Sequence, residues 1–201
     1  MFYYITFIID AFTRRILGHQ VSRRLTTECT TLPSLKMAIK TREGMISDGL
    51  IFHSDGGGQY YDKEFLKRTR YYNIQNSMCE YPWENGKAER LNGVIKNNYL
   101  NHRNITFFES LVKEVDRSVS LYNQDKPHIE LKRKSPIEFE KLYLCGGQKT
   151  DGEKSATECN PLFCKGKYSP PGCGQKTSGS NIVTEYNMNL SEKCVKTVNL
   201  I

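Results

Sequence analysis

The residues that could do chemistry cluster between positions 51 and 100. A short apolar run, Ile51-Phe52-His53, ends at Ser54-Asp55, and three glycines follow at once. A second carboxylate, Glu89, lies 33 intervening residues later, in the stretch ENGKAERLNGVIK that runs from Glu84 to Lys96. A carboxylate at the C-terminal end of a strand stands where open α/β sheets place ligand groups. Gly56-Gly57-Gly58 removes side chains beside it, which leaves room for a phosphate backbone. A plain turn fits the same residues, with Asp55 capping locally and the glycines supplying positive φ. No Gly-Lys-Ser/Thr follows, so this is not a P-loop. On a helix, Asn92, Gly93 and Lys96 follow Glu89 at i+3, i+4 and i+7, nearly one face. That face offers a carboxylate for a metal ion, then a donor and a cation for phosphates, with Lys87 and Arg90 flanking the acid. An ordinary solvated helix face carries similar charges. What unites the two stretches is metal-assisted phosphodiester chemistry on DNA.

These groups need a scaffold, and the hydrophobic pattern supplies one. Residues 2–9, FYYITFII, are aromatic or β-branched throughout and suit a buried strand. Asp10 to Arg15 reads as a turn, and Ile16 to Ser22 as a hairpin partner. Arg14, Arg15, Arg23 and Arg24 bracket that second strand, either as solvated strand ends or as phosphate contacts. A helix is expected over Thr26–Arg42, with Thr31 as N-cap, Pro33 in the first turn and Gly44 ending it. Leu50–His53 is a short strand. Asp62–Tyr72 is an amphipathic helix capped by Asp62, with Phe65, Leu66 and Tyr72 inward. Ile74–Met78 is a strand. Helices follow at Glu84–Leu100, with Leu91, Val94, Ile95 and Tyr99 as its apolar stripe, and at Phe107–Tyr122. Lys126–Pro136 is a basic loop containing Lys132-Arg133-Lys134. Pro136–Leu144 is a last helix with Pro at N1. The order implies an α/β class with one mixed sheet.

From Cys145 the composition shifts to Gly, Ser, Pro and Lys, with little apolar periodicity. Disorder is expected there, because too little surface can be buried to offset chain entropy. The domain reading is therefore a core over 1–144 and a low-complexity tail over 145–201. Five of the seven cysteines lie in the tail, at 145, 159, 164, 173 and 194. Their spacing has no C-x2-C knuckle and no tail histidine accompanies them, which argues against zinc.

The net charge is +7 and the pI about 9.0, a balance that favours a polyanionic partner. The opening apolar run stops at Asp10 and lacks a basic n-region. No run approaches the length of a membrane span. A soluble, cytoplasmic chain with reduced thiols and no membrane partner is expected.

The ordered set HSDGGGQYY, NSM, PWENGKAERLNGVIK, YN, KPH and SPIEF resembles the integrase-core transposases of bacterial insertion sequences, relatives of retroviral integrases. The resemblance spans about residues 2–143. It implies a ribonuclease-H-like core with a mixed central sheet flanked by helices, and a catalytic triad of two aspartates and one glutamate. By motif match, Asp55 is the second acid and Glu89 the third; Glu84 does not match. Lys96 corresponds to a helix lysine that faces DNA. Asp10, Asp55 and Glu89 would form a triad by order. The resemblance instead places Asp10 in the segment after the first acid, as a turn residue. The first strand and its acid would then lie before this chain, which would be an N-terminally truncated copy with FYYITFII at an exposed sheet edge and with impaired catalysis. The resemblance also implies two Mg²⁺ ions held by the acids, DNA as partner (element ends and target), phosphate contacts by Lys87, Arg90, Asn92 and Lys96, and assembly with itself or with a full-length transposase.

Overall fold

The structure is a computed structural model; it describes residues 2–42 and 45–144, and the backbone of one further strand, Cys194–Leu200. Two strands open the chain, β1 (Tyr4–Asp10) and β2 (Ile16–Ser22), paired antiparallel with an irregularity between Ile8 and Ile9. Then come helix α1 (Thr31–Thr41), strand β3 (Ile51–Ser54), helix α2 (Lys63–Tyr71) and strand β4 (Gln75–Met78). Helices α3 (Gly86–Val94), α4 (Phe108–Asp125) and α5 (Pro136–Leu144) complete the core, and β5 (Cys194–Leu200) is the last element.

The sheet order is β2-β1-β5-β3-β4. β5 runs parallel to β1 from Tyr4↔Cys194 to Asp10↔Leu200, and antiparallel to β3 at Phe52↔Leu200 and His53↔Asn199. β3 and β4 are parallel. The alternation of side chains along β1 sorts the core into two layers. Ile5, Phe7 and Ile9 face a cluster with Leu91, Ile95, Leu100, Leu111, Val115 and Tyr122 from the helices around α3 and α4. Ile8 faces the other layer, with Leu35, Ala38, Phe52, Tyr60 and Phe65 against α1 and α2. The aromatic trio packs edge-on: Phe52 and Phe65 lie 5.2 Å apart, Tyr60 and Phe65 5.9 Å. Close approach of α1 to β2 depends on Gly18, where a Cβ would sit 2.1 Å from the carbonyl oxygen of Ser34.

Three local expectations change. Thr31 does not cap α1; the N-cap is Thr30, whose hydroxyl donates back to the Thr26 carbonyl, while the Thr31 hydroxyl donates to the Gln59 carbonyl at 2.8 Å. The helix after Glu84 is not uniformly α. A 3-10 turn, Pro82–Asn85, leads into α3, and a π-helical turn, Ile95–Leu100, extends it. The i+5 spacing of a π turn puts Ile95 and Leu100 on the core face together, both fully buried, and leaves Tyr99 only partly so. Third, β1 is not an edge strand, because β5 pairs along its whole length. Most of the tail, and Gly44, lie outside the described residues. The seven residues of β5 form a strand where disorder was expected: CVKTVNL holds three β-branched residues, and the free edge of β1 offers it backbone partners.

Candidate active site

Asp55 leaves the end of β3 and its Oδ1 accepts a hydrogen bond from the Gly57 amide at 3.1 Å. No hydrogen bond or ion pair engages Oδ2 among the described residues. The three glycines do not serve a left-handed turn, since none of them has a positive φ. Their role is space: a Cβ on Gly58 would meet nothing within 4 Å, whereas one on Gly57 would press on the Gln59 side chain at 2.5 Å. The loop is held from behind. The hydroxyls of Thr27 and Thr31 both donate to the Gln59 carbonyl, at 3.2 and 2.8 Å. Backbone bonds from Tyr60 to Gly57 and from Tyr61 to Gly58 close the turn. The polypeptide past Asp55 is thus fixed by α1 while its outer side stays open.

Glu89 is exposed on α3, whose Ala88 and Leu91 are buried. Like Asp55, it carries no ion pair among the described residues, and no hydrogen bond engages its carboxylate there. Glu84 differs. Its Oε2 accepts from the amides of Glu80 and Tyr81, at 2.7 and 3.2 Å, so this carboxylate builds the turn into α3. The two open carboxylates come from separate elements and act on one group. Cys79 follows β4, and its amide donates to the Ser54 carbonyl at 2.9 Å. Its thiol is pushed up by burial first, and then by Asp55, Glu84 and Glu89 together. The Tyr61 hydroxyl is also raised by burial and, more weakly, by Asp55. Among the described residues neither acid has an ion pair, and burial with Asp55 nearby holds the Cys79 thiol and the Tyr61 phenol toward their neutral forms. Tyr81 and Trp83, in the turn that leads into α3, stack at 4.5 Å.

Asp10 is committed elsewhere. Its Oδ1 accepts from the amides of Phe12 and Thr13, and its Oδ2 takes Arg42 at 2.6 Å. Arg42 also bonds Glu140, which pairs with Arg15 as well. The turn role of Asp10 therefore has a physical basis: both oxygens are used.

The basic residues take two positions. Lys87 and Arg90 lie on the exposed side of α3, and Arg90 reaches Glu130 at 3.5 Å. Lys96 is partly buried in the π turn and makes no ion pair among the described residues, and Asn92 is partly buried on α3. Burial holds the Lys87 ammonium below its ordinary value, and Arg14 lowers it further. Sequence reasoning missed the Arg42 network, the Cys79 position and the Glu130 contacts. Their partners are far apart in the chain and leave no local pattern.

Residues 1–81 match a family model described as "Integrase core domain", and residues 71–136 match a second model with the same description. The chain belongs to the integrase-core family. It is similar to the transposase for insertion sequence element IS904 of Lactococcus lactis, 28% identical over 141 residues that cover 69% of this chain and 54% of that protein. It is also similar to the putative transposase for element IS986/IS6110 of Mycobacterium tuberculosis, 29% identical over 154 residues, 74% of this chain and 55% of the other. The chain spans about half the length of these curated relatives. Among solved structures, the simian T-cell lymphotropic virus intasome in complex with a PP2A regulatory subunit aligns with a TM-score of 0.53 at 14% identity, over 77% of this chain and 58% of that one. The HTLV-2 integrase catalytic core, determined in complex with magnesium, aligns with a TM-score of 0.47 at 16% identity, over 68% and 94%. The fold of this integrase-core protein is thus ribonuclease-H-like. Among its described residues no helix is long and apolar enough to cross a membrane.

Proposed function

We propose that this chain is the core of an insertion-sequence transposase in which Asp55 and Glu89 ligate a divalent cation for phosphodiester cleavage and joining on DNA. One observation carries the reading. Asp55 at the end of β3 and Glu89 on α3 both act electrostatically on the Cys79 thiol, as Glu84 does, and neither has an ion pair among the described residues, whereas Asp10 and Glu140 are held by arginines. Their oxygen donors fit magnesium, which takes one or two carboxylates and fills its remaining positions with water and substrate phosphate. Bound there, the ion would polarise a phosphoryl oxygen and an attacking hydroxyl. The protein's own part is positional. The open side of Gly58 admits the strand to be cut, the Thr27–Thr31 clamp fixes the loop that carries Asp55, and Lys87, Arg90, Asn92 and Lys96 hold phosphates along α3.

No cluster of three or more possible metal ligands exists among the described residues. β5, which separates β1 from β3, brings no Asp or Glu. The reading therefore includes weak metal binding and little strand transfer by the 201 residues alone, with a third carboxylate required from another segment or a partner such as a full-length transposase. Incubation of the purified chain with labelled element-end DNA and Mg²⁺ tests this. Joined product that disappears in Asp55→Asn would confirm the acid's role and overturn the claim of impairment. Joined product unaffected by both Asp55→Asn and Glu89→Gln would overturn the site.

A second reading, a non-catalytic DNA-binding or transposase-interfering remnant, draws on the same two-acid site. A gel-shift assay addresses it: duplex binding unchanged in Lys96→Ala plus Arg90→Ala would remove the α3 face as the DNA surface.

A further inference from the structure

Two guanidiniums from separate elements meet on one carboxylate. Glu130 sits in the short 3-10 turn Ile129–Leu131. Its Oε2 pairs with the Arg14 guanidinium, and its Oε1 lies 3.5 Å from Arg90. Lys87 is exposed on α3, one helical turn before Arg90. Asp10 is already occupied by Arg42. Lys126 and Arg14 both act on the neighbouring His128 ring. The acids facing the cluster are thus Glu130 and the committed Asp10, against Arg14, Lys87, Arg90 and Lys126.

The backbone is strained on both sides of this cluster. Arg14 has φ 61°, and the consecutive residues Lys132 and Arg133 have φ 55° and 60°. Non-glycine residues in this region cost of order 1 kcal/mol or more each and persist only where the surroundings hold them. Here Arg14 holds its ion pair with Glu130 from such a backbone position. The Glu130 side chain is 54% exposed and the Arg90 side chain 78%. Glu130 is therefore an anion that bridges two guanidiniums through its two oxygens at the surface, as a phosphodiester does through its two non-bridging oxygens.

We propose that Arg14, Lys87 and Arg90 form a binding site for a DNA backbone phosphate, and that Glu130 is its internal occupant, holding the guanidiniums in place until DNA displaces it. The proposal rests on the reading of this chain as a DNA-acting core. Arg90 adjoins Glu89 in the chain, so a phosphate held here belongs to the strand that approaches the acid pair. The Arg90–Glu130 contact is exposed on both sides and therefore weak, which makes displacement from that side feasible.

The test is binding of the full chain to a short duplex, followed by fluorescence anisotropy at several salt concentrations. Glu130→Gln removes the competitor and tightens binding by up to about five-fold, the effect of freeing an ion pair of up to about 1 kcal/mol. Arg14→Gln weakens binding and lowers the salt slope by about one. In the Arg14→Gln background, Glu130→Gln no longer tightens binding. Glu109→Gln, a remote exposed acid paired with Arg23, controls for net charge. Thermal melts of each variant show that it is folded. Equal gains from Glu130→Gln and Glu109→Gln, or a gain that survives Arg14→Gln, would overturn the proposal while leaving the DNA reading intact. Weaker binding in Glu130→Gln would also overturn it. Absence of duplex binding by the unaltered chain would overturn both.

Discussion

Two groups of carboxylates in this protein are treated in opposite ways. Asp10 and Glu140 are surrounded by Arg15, Arg42 and backbone amides, and Glu140 is almost fully buried. Asp55 and Glu89 have no cation against them, although they share a neighbourhood around Cys79. The first group is compensated and serves the fold, tying the β1–β2 turn to α1 and α5. The second has no ion pair among the described residues and ties no elements together. Removing one partner from a compensated buried group should cost stability, and removing an uncompensated acid should not.

The largest expected effect comes from breaking the compensated group. Arg42→Met leaves Asp10 Oδ2 and one oxygen of Glu140 without a cation. Since removing one partner of a buried pair costs about 3–5 kcal/mol, urea unfolding should show a loss near the lower end, about 3 kcal/mol, because the Arg42 side chain retains 13% exposure. A loss below 1 kcal/mol would put the network on the surface in energetic terms.

Next comes the strand between the two halves of the sheet. Val198→Pro removes a ladder donor from β5 and should cost about 2 kcal/mol. Hydrogen exchange gives the sharper readout: β1 amides should lose protection while β4 amides keep theirs. Unchanged β1 protection would mean that β5 contributes nothing to the sheet in solution.

A pH effect is smaller. His128 lies against Tyr122, its Nε2 is buried without a hydrogen-bond partner, and burial with the nearby Lys126 and Arg14 lowers its pKa to about 4. The folded chain thus keeps this ring neutral while the unfolded chain protonates it near 6.5. Stability associated with the neutral ring is complete above the unfolded value and is lost as pH falls from about 6.5 toward 4. His128→Gln should flatten the melting temperature over that window; an unchanged slope would assign it to other groups.

The smallest effect on stability is expected at the candidate site itself. Asp55→Asn and Glu89→Gln should change unfolding free energy by no more than about 0.5 kcal/mol. Both should abolish any rise in melting temperature on adding Mg²⁺. A destabilisation of more than 1 kcal/mol by either would place that acid with the compensated group.

Much of this was legible in the sequence. The limits of β2 and α5 agree with the apolar pattern, and Asp62 caps α2 by accepting from the Glu64 amide at 2.9 Å. These features are local: a strand, a cap or a helix stripe is set by residues within a few positions of each other. Asp55 and Glu89 stood out for the same reason, each embedded in its own short motif.

Tertiary structure alone decided the rest. Arg42 and Glu140 are separated by 98 positions, and Arg14 and Glu130 by 116. No periodicity links such pairs, so charge alone did not distinguish Asp10 from Asp55. The π turn moved the buried position from Tyr99 to Leu100, a phase change that a uniform 3.6-residue pattern does not carry. The central place of Cys194–Leu200 followed from the edge of β1, whose backbone groups take a partner from wherever the chain supplies one. The sequence by itself named the two acids. Only the fold showed that neither has an ion pair among the described residues while Asp10 does, because compensation depends on which distant cations the packing brings near.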